Sequence, residues 1–114
     1  MKHVLFVCTL NISRSATAEK EFASVPGIEV RSAGTSDEAE QPVTGELVLW
    51  ADVVIVMEER HRVHVMKTFK RQLGDAKVEC LGIPDCYWYQ EPALIDLLRE
   101  RVPPILERLL ARQA

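Results

Sequence analysis

The sequence is poor in the features that mark several classes of protein. Its 114 residues include only three cysteines and 6% aromatic residues, and the formal net charge is −3. An odd number of cysteines without regular spacing argues against a disulfide framework. The negative net charge gives no support to nucleic acid or an anionic membrane as a partner, and no apolar stretch approaches the roughly 20 residues of a membrane span. We therefore expect a cytoplasmic protein with reduced thiols.

Blocks of apolar and polar residues predict strands that alternate with helices. We predict strands at 3–8, 28–34, 52–57 and 77–83, and helices at 13–24, 43–51, 58–73 and from 92 to the end. Pro103 and Pro104 should divide the last helix into two pieces. Such alternation is typical of a parallel sheet with helices on both faces. The prediction is one domain over 1–114, a three-layer α/β/α sandwich with a central four-stranded parallel sheet.

The join between the first strand and the first helix carries the strongest chemical signal, "CTLNISRS" at 8–15. In parallel sheets, ligands bind beyond the carboxyl ends of the strands. The free N–H groups and the dipole of a helix N-terminus attract anions. Arg14 adds a planar set of donors suited to phosphate oxygens, and a positive field of this kind favours the thiolate form of a cysteine. A loop with Cys8 and Arg14 could therefore both bind a phosphate group and attack it.

Four segments resemble the low-molecular-weight protein tyrosine phosphatases. "VLFVCTLNISRSATAE" (4–19) is similar to the family's active-site segment, in which Cys, five residues, Arg and Ser follow the first strand. "SAGT" (32–35) and "ADVVIVMEERH" (51–61) resemble the family's second and third strand regions. "IPDCYWY" (83–89) resembles its loop with Asp, one residue and Tyr. The resemblance looks closest to a shorter bacterial branch of predicted tyrosine phosphatases.

The resemblance implies a hydrolase of phosphate monoesters that acts on phosphotyrosine through a phosphocysteine, without metal or cofactor. Cys8 would be the nucleophile, Arg14 would hold the phosphoryl oxygens, and Asp85 would act first as general acid and then as general base. The implied phosphate-binding residues are Thr9, Leu10, Asn11, Ile12, Ser13, Arg14 and Ser15; among them, Ser15 would donate to the thiolate and Asn11 would hold the loop's shape. Tyr87 and Trp88 would wall the entrance for a phosphotyrosine protein or a small aryl phosphate.

The chain departs from the family's usual pattern at four positions. Leu10 stands where most of the family has Gly, and a side chain there is costly if the residue's φ is positive. Ser13 replaces a Cys, and Ala16 replaces a Pro at the helix start. Cys86 replaces the Pro that usually follows the acid, which predicts a looser loop. The segment between "SAGT" and the third strand is short, so we expect one substrate-recognition loop of larger relatives to be missing.

Several residues also have ordinary structural interpretations. Cys80 is predicted to be a small core residue, and Cys86 to have no redox role. His61 and His64 are interpreted as part of a solvated basic helix face rather than a metal site, and Glu58 as a charge at the helix start. Asp85 alone could be a turn residue, and the aromatic residues after it could cap the core. The side of helix 58–73 predicted to be buried carries Val63, Met66, Phe69 and Leu73.

Three other functions remain open at this stage. A thiol-dependent arsenate reductase would share the fold and loop, although Cys80 and Cys86 do not lie where that family's relay cysteines would. A phosphocarrier of the sugar phosphotransferase type also places a cysteine after the first strand, but it would not need Arg14 or Asp85. A phosphate-binding module without turnover is the third possibility, because Leu10 could distort the loop.

Overall fold

A computed structural model of the protein describes residues 1–111. Its strands β1 (Lys2–Cys8), β2 (Ile28–Gly34), β3 (Val53–Val56) and β4 (Lys77–Cys80) form one parallel sheet in the order β2-β1-β3-β4. The helices of the described residues are α1 (Arg14–Phe22), α2 (Gly45–Trp50), α3 (Glu59–Thr68), α4 (Lys70–Leu73), α5 (Pro92–Arg101) and α6 (Pro103–Ala111). The predicted fold class, an α/β/α sandwich around four parallel strands, is confirmed.

Alternation along the buried central strand β1 separates two apolar clusters. Val4, Phe6 and Cys8 face one side, where they join side chains from α1, α5 and α6. Leu5 and Val7 face the other side, where Val65 of α3 and side chains of α2 and α4 cover the sheet. Successive residues of a strand point to opposite faces, so Cys8 lies at the sheet edge on the side that α1 covers.

Two element predictions need correction. The helix predicted over 58–73 is two helices, because the chain turns at Phe69, whose ψ of 31° is not helical. The fourth strand ends at Cys80 and not at position 83, so residues 81–83 belong to the connection that leads to Asp85. The predicted break at Pro103 occurs. Thr44 is the N-cap of α2, and its hydroxyl accepts from the Leu47 amide at 3.2 Å.

The buried side of α3 also differs from the prediction. Val63 and Met66 are 56% and 46% exposed, whereas His61 and Val65 are buried. His61 accepts a hydrogen bond from the backbone N–H of Glu58 through Nδ1 at 3.0 Å, which closes a capping box at the helix start. This bond turns His61 and the residue one turn later, Val65, toward the sheet. Hydrophobic periodicity alone could not show this, because the residue that sets the helix's rotation is polar.

No helix within residues 1–111 is both long enough and apolar enough to cross a membrane.

Candidate active site

The carboxyl edge of the sheet holds a pocket of about 390 Å³, and most of the predicted site residues line it. The lining comprises Cys8, Thr9, Leu10, Ile12, Ser13, Arg14, Asp85, Tyr87, Trp88 and Tyr89. The pocket lies between the 8–15 segment, hereafter the phosphate loop, and the 84–91 segment, hereafter the acid loop. Its size falls within the usual range for small-molecule sites. Asn11 and Ser15 are not among the lining residues; they lie beneath the loop, where both are buried.

The sulfur of Cys8 is buried and receives hydrogen bonds from two directions. The backbone N–H of Asn11 donates to Sγ at 3.3 Å, and Ser15 Oγ lies 3.0 Å from Sγ. The side-chain amide of Asn11 donates to Ser15 Oγ at 2.8 Å. With that bond accepted by the hydroxyl oxygen, the hydroxyl proton can go to Cys8 Sγ at 3.0 Å or to the Ala33 carbonyl at 3.4 Å, and a thiolate would draw it to the sulfur. These contacts would stabilise a negatively charged sulfur.

The shape of the phosphate loop depends on a second segment that follows β2. The carbonyls of Cys8, Thr9 and Leu10 accept from the N–H groups of Thr35, Ser36 and Glu40 at 2.9–3.0 Å. In a trans peptide the C=O and the following N–H point in opposite directions. The amides after these carbonyls are therefore turned away from the 35–40 segment, and the Asn11 amide indeed reaches Cys8 Sγ. Across residues 1–111, no backbone carbonyl accepts from the amides of Leu10 or Ile12.

Gly34 makes this arrangement possible. A Cβ atom at this position would lie 2.3 Å from the carbonyl oxygen of Thr9. Such an approach is not tolerated by backbone atoms, so only glycine allows β2 to end this close to the phosphate loop. The physical role of the "SAGT" segment, which resembles the family's second strand region, is this close backbone contact.

The expected strain at Leu10 does not occur. Among the described non-glycine residues, positive φ values are found at Asn11 (61°) and Gln90 (60°). Asn tolerates the left-handed region better than most residues, so the loop places its turn where the sequence supplies a suitable residue. Leu10 is instead 39% exposed at the pocket.

Arg14 has the largest fully buried side chain among residues 1–111. Two acceptors hold one of its terminal nitrogens. Its Nη1 donates to Glu58 Oε2 at 2.5 Å and to the carbonyl of Ile83 at 2.8 Å. Its Nη2 lies 3.7 Å from Asp85 Oδ1. Within residues 1–111, Arg14 Nε is the one buried side-chain nitrogen or oxygen without a hydrogen-bond partner. A buried, charged donor in that state calls for an acceptor that the protein itself does not provide.

Glu58 lies at the start of α3 as expected and also binds the buried Arg14, whereas His61, interpreted as part of a solvated face, is buried. A hydrogen bond from Arg60 lowers the pKa of Glu58 to about 2, with Arg14 acting in the same direction. Burial lowers the pKa of His61 to about 4, and the nearby charges of Arg14 and Arg60 contribute. His61 is therefore neutral at physiological pH. Since Nδ1 accepts from Glu58, the ring proton is on Nε2, which donates to Thr9 Oγ1 at 2.8 Å.

No sequence signal showed that the start of α3 supports the phosphate loop. The helix binds the loop twice, through Glu58 to Arg14 and through His61 to Thr9. A clue was present in the spacing of Glu58 and His61, which is that of a capping box at a helix N-terminus. The usual capping-box pattern uses Ser or Thr followed by Glu or Gln, and here Glu58 and His61 take those two positions.

The acid loop is more exposed than the phosphate loop. The Asp85 side chain is 59% exposed and Trp88 is 77% exposed, while Tyr87 packs against the α1 side of the core. Cys86 is exposed, and Cys80 is only half-buried, packed against the α3 side of the core. Across residues 1–111, no group of three His, Cys, Asp or Glu side chains is arranged to hold a metal ion.

The amino-terminal part of the chain matches a known protein family. Residues 3–49, which include the phosphate loop but not Asp85, match the low molecular weight phosphotyrosine protein phosphatase family. No protein among the curated sequences matches the chain.

Solved structures with the same fold cover nearly the whole chain. One is the YwlE arginine phosphatase from Geobacillus stearothermophilus, with 23% identity and a TM-score of 0.74 over 99% of this chain and 96% of that one. Another is SP-PTP, a low molecular weight protein tyrosine phosphatase from Streptococcus pyogenes, with 21% identity and a TM-score of 0.79 over 96% and 93%. A third is the tyrosine phosphatase Wzb from Escherichia coli K30 with bound phosphate, with 23% identity and a TM-score of 0.76 over 95% and 98%. The amino-terminal part of the chain is thus similar to the low molecular weight phosphotyrosine protein phosphatase family, and the whole chain shares its fold with these solved structures.

Proposed function

We propose that this protein hydrolyses aryl phosphate monoesters, with phosphotyrosine as the substrate class, through a phosphocysteine on Cys8. One observation carries the proposal: the sulfur of Cys8 and the buried guanidinium of Arg14 line the same pocket, and Arg14 Nε has no acceptor within residues 1–111. A phosphoryl oxygen would supply that acceptor. The Nη1 bonds to Glu58 and Ile83 would hold the guanidinium ready for a planar, two-point contact with phosphate.

In the first step, the Cys8 thiolate attacks phosphorus. An S–P bond forms while the P–O bond to the aryl group breaks, and the carboxyl proton of Asp85 passes to the leaving phenolate oxygen. The N–H groups of the phosphate loop and Arg14 stabilise the charge that builds on the equatorial oxygens. The hydroxyl of Ser15 stabilises the sulfur while it is negatively charged.

In the second step, water attacks the phosphocysteine. The Asp85 carboxylate takes a proton from the water as the new P–O bond forms. The S–P bond breaks, inorganic phosphate leaves, and the thiolate is restored with the hydrogen bonds from Ser15 and Asn11. No electrons enter or leave the cycle, and neither step requires a metal.

The pocket rim favours an aromatic ester over a phosphoarginine. Leu10, Ile12, Tyr87, Trp88 and Tyr89 surround the opening with apolar and aromatic surface, against which a phenyl ring can pack. A phosphoarginine side chain would place a polar guanidinium group in this opening, and Asp85 is the only carboxylate among the described lining residues. Glu58 is not available to bind the guanidinium of a phosphoarginine, since its carboxylate already binds Arg14 and Arg60.

Steady-state assays of the purified protein test this proposal. With p-nitrophenyl phosphate in EDTA we expect turnover that Cys8→Ser abolishes. Among phosphotyrosine, phosphoserine and phosphoarginine peptides of one sequence, we expect the highest kcat/KM for phosphotyrosine. A preference for phosphoarginine would overturn the substrate class but not the chemistry, whereas turnover that survives Cys8→Ser would overturn both.

The other functions weighed from the sequence give different results in the same material. A phosphocarrier would form a phosphocysteine that persists after the excess substrate is removed, so its lifetime is measured by rapid acid quenching. A binding module would bind inorganic phosphate tightly without hydrolysing any ester. An arsenate reductase would consume a thiol reductant with arsenate, and that activity would disappear in Cys86→Ser.

A further inference from the structure

The acid loop is joined to helix α1 by a partly buried hydrogen bond. The backbone N–H of Gln90 donates to Thr17 Oγ1 at 2.8 Å, and Thr17 is only 1% exposed. The two residues are far apart in sequence, since Thr17 lies on α1 and Gln90 lies just before α5. A buried hydroxyl is costly to desolvate unless it is bonded, so this contact defines where the two segments meet.

The remaining hydrogen bonds of the acid loop are mostly local. Cys86 N–H donates to the carbonyl of Pro84 at 3.0 Å, and Glu91 N–H donates to the carbonyl of Trp88 at 3.1 Å. The Trp88 amide has a long contact of 3.4 Å with the Glu91 carboxylate. These bonds shape the loop but do not attach it to the phosphate loop.

Gln90 adopts a backbone conformation that it would not choose alone. Its φ of 60° lies in the left-handed region, which costs a residue other than glycine about 1–2 kcal/mol. Strain of this size persists only where the surrounding structure enforces it. In this conformation the Gln90 amide donates to Thr17.

From these observations we infer that Thr17 is a positioning residue for the general acid. Thr17 lies three residues after Arg14, one turn along α1, so a single turn of helix attaches both the phosphate-binding guanidinium and the acid loop. The Thr17 bond then fixes the distance between the acid loop and the phosphate loop. At this distance Asp85 Oδ1 lies 3.7 Å from Arg14 Nη2. This inference rests on the proposed function, because it concerns the proton that Asp85 delivers.

The test compares two aryl phosphates whose leaving groups differ in basicity. Phenyl phosphate expels a basic phenolate that needs the acid, whereas 2,4-dinitrophenyl phosphate expels a weakly basic one that does not. Because kcat/KM covers the steps up to formation of the phosphocysteine, we expect Thr17→Val to lower kcat/KM for phenyl phosphate about 5- to 10-fold, the equivalent of one hydrogen bond. For 2,4-dinitrophenyl phosphate, and for inhibition by inorganic phosphate, we expect almost no change.

Two variants serve as controls. Thr17→Ser keeps the hydroxyl and should restore the wild-type ratio between the two substrates. Thr44→Val makes the same chemical change at the cap of α2, where the hydroxyl accepts from the Leu47 amide at 3.2 Å. It should lower stability without altering the ratio, which separates positioning from a general loss of stability.

Amide hydrogen exchange gives a readout that does not depend on activity. The Gln90 amide should exchange at least severalfold faster in Thr17→Val than in the wild type, while the Asn11 amide should keep its rate. Equal losses with both substrates, or weaker phosphate inhibition, would show that the hydroxyl acts on the phosphate loop and would overturn the inference. Absence of turnover in the wild-type protein would instead contradict the proposed function, and the exchange rates would still report on the contact.

Discussion

The phosphate loop and the acid loop meet at one pocket, yet the protein holds them very differently. Three carbonyls of the phosphate loop are bound by the 35–40 segment, and its side chains are bound by α3 and by one another. The acid loop is largely exposed and is tied to α1 through the amide of Gln90. Electrostatic stabilisation of a transition state requires donors that are already in place, whereas a proton donor must also let substrate enter and product leave.

Replacing the fixed cation should give the largest effect. Arg14→Lys retains the charge but loses the planar set of donors, including the unpartnered Nε. We expect kcat/KM for p-nitrophenyl phosphate to fall by about 10²–10³-fold or more, and phosphate inhibition to weaken in parallel. Arg60→Lys is the matched control. Arg60 binds the same carboxylate, that of Glu58, but its side chain is 55% exposed. Full activity in Arg14→Lys would show that charge alone matters, and comparable losses in both variants would show that the effect does not depend on the buried, fixed guanidinium.

Removing the acid should have a smaller effect that depends on the substrate. Asp85→Asn should reduce kcat/KM for phenyl phosphate by about 10²-fold, the lower end of general acid catalysis. Inhibition by inorganic phosphate should be unchanged or somewhat stronger, since the exposed carboxylate repels the anion near Arg14. If the loss were equal for all leaving groups, or if phosphate no longer bound, the two loops would not have the separate roles proposed here.

This contrast also explains how much the sequence could predict. The fold followed from continuous apolar strands and amphipathic helices, which are local patterns that tertiary packing then preserves. The phosphate loop followed from a short motif with Cys8 and Arg14 close together. The supports of that loop could not be predicted in this way, because Glu58, His61 and the 35–40 segment reach it only through the parallel sheet, which brings the strand ends to one edge.

The main error in the sequence-based prediction was the buried side of α3, where a polar residue is buried. Val63 and Met66 were predicted to be buried by helical periodicity, and His61 to be solvated, but the reverse is found. Neutral His61 is buried because both of its ring nitrogens have partners, Glu58 and Thr9. Hydrogen-bond satisfaction of this kind depends on which segments meet in space, and no periodicity in one helix encodes it.

His61 provides a pH test of the support from α3. The pKa of His61 is about 4 in the folded protein and near its ordinary value of 6.5 in the unfolded chain. Between pH 6.5 and 4, His61 therefore binds a proton in the unfolded state but not in the folded state. The free energy of unfolding falls as the pH drops through this range. We expect the free energy of unfolding to decline by up to about 3 kcal/mol over this interval, measured by urea denaturation.

Substitution of His61 tests whether this residue causes the pH dependence. His61→Asn keeps an acceptor for the Glu58 amide and should flatten the pH dependence between 6.5 and 4.5, whereas His64→Asn on the same helix should leave it unchanged. The carboxylate of Glu58, with a pKa of about 2, contributes stability that is lost mainly below pH 4.5, so it does not obscure this interval. An undiminished slope in His61→Asn would show that other groups cause the acid sensitivity.

The smallest expected effect concerns the position where the family usually has glycine. Because the positive φ lies at Asn11 and not at Leu10, Leu10→Gly relieves no strain. It should instead lower stability by about 0.5–1 kcal/mol through the greater freedom of the unfolded chain, with little change in kcat/KM for p-nitrophenyl phosphate. Asn11→Ala should cost more, since alanine pays about 1–2 kcal/mol in the left-handed region and loses the bond to Ser15. A gain in stability or activity from Leu10→Gly would mean that the positive φ lies at position 10. The phosphate loop would then be less rigidly held than its contrast with the acid loop implies.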